Sequence, residues 1–138
     1  MSLVDDTRYG LPLSGVVGIG TDLLDSRRIV SAYEAHGERF VRRILTAAEQ
    51  QLYAERRASL NFLAKQFAAK EALAKALGTG IARGIGFQQL EVLRDEAGAP
   101  QVTLSGQAAM RLQVMGGRQA LLSLSDEGDL IQAFAVLI

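Results

Sequence analysis

The chain has no cysteine and no tryptophan, and only one histidine and two prolines in 138 residues. The missing thiols exclude disulfides, thiolate metal centres and cysteine nucleophiles together. His36 is the sole imidazole, and its place at the end of an expected helix, where the dipole favours a cation, reads as a surface position rather than a general base. No run approaches the roughly 20 apolar residues a membrane span needs. Charge of neither sign prevails, with 15 Lys and Arg against 15 Asp and Glu. That balance removes the whole-molecule basic field expected of a nucleic-acid binder. Residues 1–15 carry Asp5 and Asp6 and no apolar h-region, so they read as a short, loosely attached leader and not as a secretory signal. What remains is 49% hydrophobic, enough for the core of one domain over residues 16–138, with the cytoplasm as its expected compartment.

Residues 16–22 read as a short apolar strand that ends at Asp22. Asp25 or Ser26 is placed to cap a helix to about His36, which Gly37 breaks. Thr46 and Glu49 stand three apart, the spacing of a capping box, ahead of a helix to about Arg57. Residues 60–77 form the strongest helical segment, rich in Ala, Leu, Lys and Glu and free of Gly and Pro, with Gly78 as its stop. Beyond it the pattern turns strand-like: residues 87–94, a turn at 95–98, and a return over 100–104. Ser105 is placed to cap a helix to about Met115, and two closing strands cover 120–125 and 130–138. Helices and antiparallel hairpins in one short chain imply an α+β fold, a long central helix packed on an antiparallel sheet.

The residues that could carry chemistry fall on these elements. Asp22 sits where a strand gives way to a loop, a position that fixes a side chain yet leaves it reachable; the plainer reading is a turn aspartate. Glu71 and Lys75 are four apart on the long helix, which alone suits a surface ion pair. Two carboxylates on different elements also suit magnesium, which takes hard oxygen donors and is held by one or two carboxylates, water and substrate phosphate. Lys70 and Lys75 would offset the remaining phosphate charge, making a phosphoryl-transfer constellation. Ala68, Ala69, Ala72 and Ala74 let a backbone or a ligand come close to that helix. Residues 26–43 are locally basic, with five arginines (Arg27, Arg28, Arg39, Arg42 and Arg43) against Glu34 and Glu38; the segment is either a solvated face or a dock for an acidic partner. Ser123 and Ser125 lie on a strand with no histidine near, which argues against a serine nucleophile.

Two stretches carry a resemblance. Val17-Gly18-Ile19-Gly20-Thr21-Asp22, followed by Arg28-Ile29, resembles the opening motif of the bacterial holo-acyl-carrier-protein synthases. Phe62-Leu63-Ala64-Lys65-Gln66-Phe67-Ala68-Ala69-Lys70-Glu71-Ala72, continuing to Lys75-Ala76-Leu77-Gly78-Thr79-Gly80, is similar to that family's central signature. Arg43-Ile44-Leu45-Thr46 with Glu49, and Glu91-Val92 with Gly98 and Pro100, fit it as well, in order along nearly the whole chain. The resemblance implies a 4′-phosphopantetheinyl transferase of the short, homotrimeric type, with active sites between subunits. It implies transfer of phosphopantetheine from coenzyme A to a serine of apo acyl carrier protein, as in fatty-acid synthesis, leaving adenosine 3′,5′-bisphosphate.

Carried over, Asp22 and Glu71 look like the ligands of magnesium, with manganese as the other candidate ion, and Asp22, Glu71 and Lys75 like the catalytic set. Lys70 and Lys75 look like phosphate contacts, with Gly78, Thr79 and Gly80 near the nucleotide. Arg27, Arg28, Arg42 and Arg43 resemble the surface that grips the carrier's acidic helix. The base is either Glu71 or a water at the metal. Two departures stand out: Gln66 where many members have arginine, and Ser125-Asp126-Glu127 where many have Ser-His-Glu. They leave one rival, a relative that binds coenzyme A or carrier without transfer. A small nucleic-acid module is the other, and the neutral charge speaks against it.

Overall fold

The structure is a computed structural model and describes residues 15–138. The leader expected over residues 1–15 lies, save for Gly15, outside the described residues. Among the described residues five strands and five α-helices follow one another: β1 (Gly18–Asp25), α1 (Arg27–His36), α2 (Glu38–Ile44), α3 (Ala47–Glu55), α4 (Leu60–Ala76), β2 (Leu90–Arg94), β3 (Pro100–Leu104), α5 (Gly106–Val114), β4 (Ala120–Glu127) and β5 (Leu130–Leu137). A 3-10 turn, Phe87–Gln89, leads into β2. The expected α+β domain is present, but its strands form two antiparallel sheets, β1-β5-β4 and the hairpin β2-β3.

α4 is the hub. It packs on β1 and β5 and also meets β2 and β4. Eleven of its 17 residues are buried, so it is a core helix and not an amphipathic surface one. Leu63, Leu73 and the capping Leu77 are fully buried, each contributing about 1.5–3 kcal/mol. Ser59 caps its start by accepting from the Phe62 amide at 3.2 Å. The alanines have a definite use: β1 lies directly on the helix backbone. A Cβ at Gly18 would stand 2.3 Å from the Ala76 carbonyl oxygen, and one at Gly20 2.2 Å from that of Ala72. Glycine on the strand and alanine on the helix together permit this approach.

Local signals explain the rest. Thr46 and Glu49 form the expected capping box, with the Glu49 amide donating to Thr46 Oγ1 at 3.2 Å and the Thr46 amide to Glu49 Oε1 at 2.7 Å. Asp25, rather than Ser26, holds the start of α1, its Oδ1 accepting from the Arg27 amide at 3.0 Å. At α5 the expected Ser105 cap is replaced by Gln89, whose Oε1 accepts from the Ala108 amide at 2.9 Å. Residues 38–44, left without an element by the sequence reading, form α2, because Gly37 at φ 58° ends one helix and opens the next. β1 runs three residues past its expected end: β5 offers backbone partners as far as Leu130, opposite Asp25.

Candidate active site

That longer strand corrects the setting of Asp22. It lies inside β1, paired with Ala133 of β5, and does not mark the strand's end. Strand alternation turns Gly20, Asp22 and Leu24 toward α4, and leaves Ile19, Thr21 and Leu23 exposed on the opposite face. Asp22 therefore meets the helix beside the close approach at Gly20. Lys75 donates to Asp22 Oδ1 at 3.1 Å and to the Thr21 carbonyl at 3.0 Å, while remaining half exposed. It pairs across to the strand, not along the helix to Glu71 as spacing alone suggested.

Glu71 is one helical turn before Lys75. Its carboxyl is pushed above the usual range, first by burial and then by the negative charge of Asp22; the cations Lys75 and Arg28 act the other way. Among the described residues no cluster of three or more Asp, Glu, His or Cys forms a ready-made cage. The donor set is two carboxylates that offer hard oxygens, which is the chemistry of a magnesium ion completed by water and phosphate.

Lys70 does not join this site. It is fully buried, and its ammonium donates to Glu49 Oε1 at 2.6 Å, the Ile44 carbonyl at 2.6 Å and the Phe87 carbonyl at 3.0 Å. An ammonium has three protons, so none is left for a phosphate. The expectation of a phosphate contact at Lys70 is replaced by an interior role. Glu49, equally buried, also accepts from Gln66 Nε2 at 2.8 Å and the Val92 amide at 2.8 Å. Burial lowers the proton affinity of Lys70 below that of a free lysine, against the opposing pull of the Glu49 carboxylate. Gln66, which stands where many members have arginine, is likewise an interior side chain, and its Oε1 has no partner among the described residues.

Gly78, Thr79 and Gly80 close the helix: the Thr79 and Gly80 amides both donate to the Ala74 carbonyl, at 3.3 and 3.0 Å, with Gly78 and Gly80 at positive φ. Arg111, which the sequence reading overlooked, donates from Nε to the Leu77 carbonyl at 2.8 Å and caps the same end. Thr79, Arg83 and Arg111 line a recess of about 280 Å³ there.

The basic segment divides. Arg27 is bound by Asp25 in a fork of contacts from 2.5 to 3.1 Å, which also holds the Asp25 carboxyl down at about 2. It is not a spare cation. Arg28 is exposed and reaches the field of Glu71. Arg42 and Arg43 are exposed in the last turn of α2. Asp126 pairs with Lys65 of α4 at 3.4 Å.

The sheet's far face is unusually apolar for a surface. Ile19, Leu23, Leu121, Leu130 and Phe134 are 42–67% exposed across its three strands. Recesses of about 440 and 460 Å³ flank Gln132 there, one beside Leu23 and the other beside Thr21 and Phe134.

Known proteins match this arrangement. The family model for the 4'-phosphopantetheinyl transferase superfamily covers residues 18–129. The holo-[acyl-carrier-protein] synthase of Shewanella amazonensis is 48% identical over 122 residues, spanning 88% of this chain and 98% of the relative. That of Halorhodospira halophila is 46% identical over 123 residues, 89% of this chain and 98% of the relative. Among solved structures, the Neisseria meningitidis synthase superposes with a TM-score of 0.81 at 38% identity, covering 90% of this chain and 99% of that one. The Helicobacter pylori synthase in complex with coenzyme A gives 0.76 at 26% identity, covering 87% and 99%. With near full-length coverage in both directions, the chain belongs to the 4'-phosphopantetheinyl transferase superfamily, among its holo-[acyl-carrier-protein] synthases.

Proposed function

We propose that this protein, through its domain over residues 16–138, transfers 4′-phosphopantetheine from coenzyme A to a serine of an apo acyl carrier protein, releasing adenosine 3′,5′-bisphosphate. The observation that carries the reading is the convergence of Asp22, Glu71 and Lys75 from β1 and α4 in one half-buried field. Asp22 and Glu71 would hold a magnesium ion, or manganese in its place. When bound, that ion supplies charge neutralisation for the coenzyme's diphosphate. Lys75 adds a positive charge to the same diphosphate, oriented by the Thr21 carbonyl. Glu71, or a water at the ion, would take the serine proton as the hydroxyl attacks the phosphorus nearest pantetheine and the bond to adenosine 3′,5′-bisphosphate breaks. Arg28, Arg42 and Arg43 offer exposed cations to an acidic carrier helix, while Arg27 is occupied.

Incubation with coenzyme A, magnesium and apo acyl carrier protein is expected to add one phosphopantetheinyl group to the carrier by intact mass. Coenzyme A binding with no mass gain would leave the non-transferring relative as the better reading. Magnesium should also raise the Tm of the wild-type protein, by the equivalent of about 2.7 kcal/mol at a hundredfold excess over its Kd. Asp22→Asn should lose that rise. An equal rise in the variant would remove the ion from these two carboxylates.

The apolar sheet face supports self-association, and the family resemblance makes a homotrimer with sites completed between subunits, working in the cytoplasm, the assembly expected. A free surface of this composition is costly to leave in water. Phe134→Arg would place a cation on that face in every copy. Sedimentation is expected to show monomer, and transfer to fall by about two orders of magnitude as the shared cleft is lost. A variant that stays trimeric and active would exclude this face as the interface.

A further inference from the structure

Lys70 and Glu49 are the largest investment of buried charge in the molecule, yet neither touches the site. Their contacts suggest what they do. α2 ends at Ile44, and the last carbonyls of a helix lack partners within it. The Lys70 ammonium, rooted on α4 one residue before Glu71, takes the Ile44 carbonyl at 2.6 Å. Gln88 Nε2 takes the Arg42 and Leu45 carbonyls, each at 2.7 Å. Glu49 ties the ammonium to the start of α3 through the Thr46 amide and to β2 through the Val92 amide. A cation at this point also complements the negative end of the α2 dipole. The turn of α2 that carries Arg42 and Arg43 is therefore bolted to the helix that carries Glu71 and Lys75.

We propose that Lys70, anchored by Glu49, is a positioning residue that fixes the arginines of α2 relative to the diphosphate-binding face of α4, and so sets where a docked carrier presents its serine. The inference rests on the proposed transfer reaction. An in-line displacement tolerates little misplacement, and about 1 Å can cost a hundredfold in rate. Nothing in the interior demands an ion pair for stability: apolar side chains of similar volume commonly replace a buried pair without loss, whereas removing one partner strands the other. Retaining both charges beside a helix end is what a positioning role requires.

The experiment compares wild type, Lys70→Met, Glu49→Gln/Lys70→Met and Gln88→Ala, each assayed well below its Tm, with the carrier and coenzyme A varied separately. Lys70→Met should lower Tm by roughly 10 °C or more, and the double variant should regain most of it because no carboxylate is left unpaired. Gln88 is exposed, so its alanine variant should keep the wild-type Tm. The double variant and Gln88→Ala should both show kcat/KM for the carrier reduced, by about 10–100-fold and about 3–10-fold, with KM for coenzyme A and the magnesium-induced Tm rise unchanged. Kinetics that return to wild type along with Tm in the double variant, or a wild-type kcat/KM for the carrier in Gln88→Ala, would overturn the proposal and leave the pair a stabiliser. If Lys70→Met does not fold, the other two variants still decide the matter. Wild-type protein that transfers nothing would instead defeat the transferase reading, a separate outcome.

Discussion

Glu71→Gln is expected to reduce transfer to an apo carrier by about 10³-fold or more while slightly raising the stability of the metal-free protein at pH 7.5. Both effects come from one local cause. Glu71 is held in a half-buried place where burial and the charge of Asp22 oppose its ionisation. Its folded pKa lies above the ordinary 4.5. Between those two values the folded chain binds more protons at this group than the unfolded chain, so stability falls as pH rises through the window. Above the folded pKa the whole penalty is present. Glutamine keeps the shape and removes the charge, so the gain should appear at neutral pH, by about 1–2 °C given the partial exposure. It should vanish below pH 4.5, where the carboxyl is protonated in both states. Thermal melts of metal-free protein at pH 4 and 7.5, beside an intact-mass transfer assay, check both halves. A variant that keeps activity, or that is destabilised only at neutral pH, would mean that Glu71 is a structural ion-pair partner.

Gly20→Val should be the most damaging single change to the fold. The new Cβ would lie 2.2 Å from the Ala72 carbonyl oxygen and 2.6 Å from the Ala76 amide nitrogen. Both are backbone atoms of a core helix, so the clash cannot be relieved by turning a side chain. Overpacking of a tight core costs about 1–3 kcal/mol and more where the backbone must move; here a loss of at least about 3 kcal/mol is expected from a total of about 5–15 kcal/mol. Parting the strand from the helix would also pull Asp22 away from Lys75, so activity should fall further than the folded fraction. Urea denaturation gives the measurement, with Gly86→Ala as the control, since nothing lies within 4 Å of a Cβ there. A wild-type midpoint for Gly20→Val would show that β1 does not rest on the backbone of α4.

Much of the fold was legible because its signals are local. The Thr46 and Glu49 capping box, the uninterrupted helix over residues 60–76 and the turn at Asp95 depend on residues a few positions apart. α2 escaped notice because a glycine that ends a helix looks, in sequence, no different from one that also begins the next. Residue chemistry allowed Asp22 and Glu71 to serve a magnesium ion, and the resemblance is what favoured that over a turn aspartate and a surface ion pair. Both lines of reasoning also put Lys70 on a phosphate, where the structure gives it an interior role. A lysine beside Glu71 that turns into the core is indistinguishable on paper from one facing a phosphate.

The sequence alone determined the long helix, the Thr46 and Glu49 capping box and the residue chemistry available for phosphoryl transfer, since each of these depends on neighbours within a turn or two. Only the tertiary structure decided which lysine faces the carboxylates and which is spent inside. Lys70 and Lys75 are separated by about 140° around the helix at 100° per residue, so one points to β1 and the other to Glu49. That choice is made by what packs on each side of α4, and those partners come from segments up to 54 residues away in the chain.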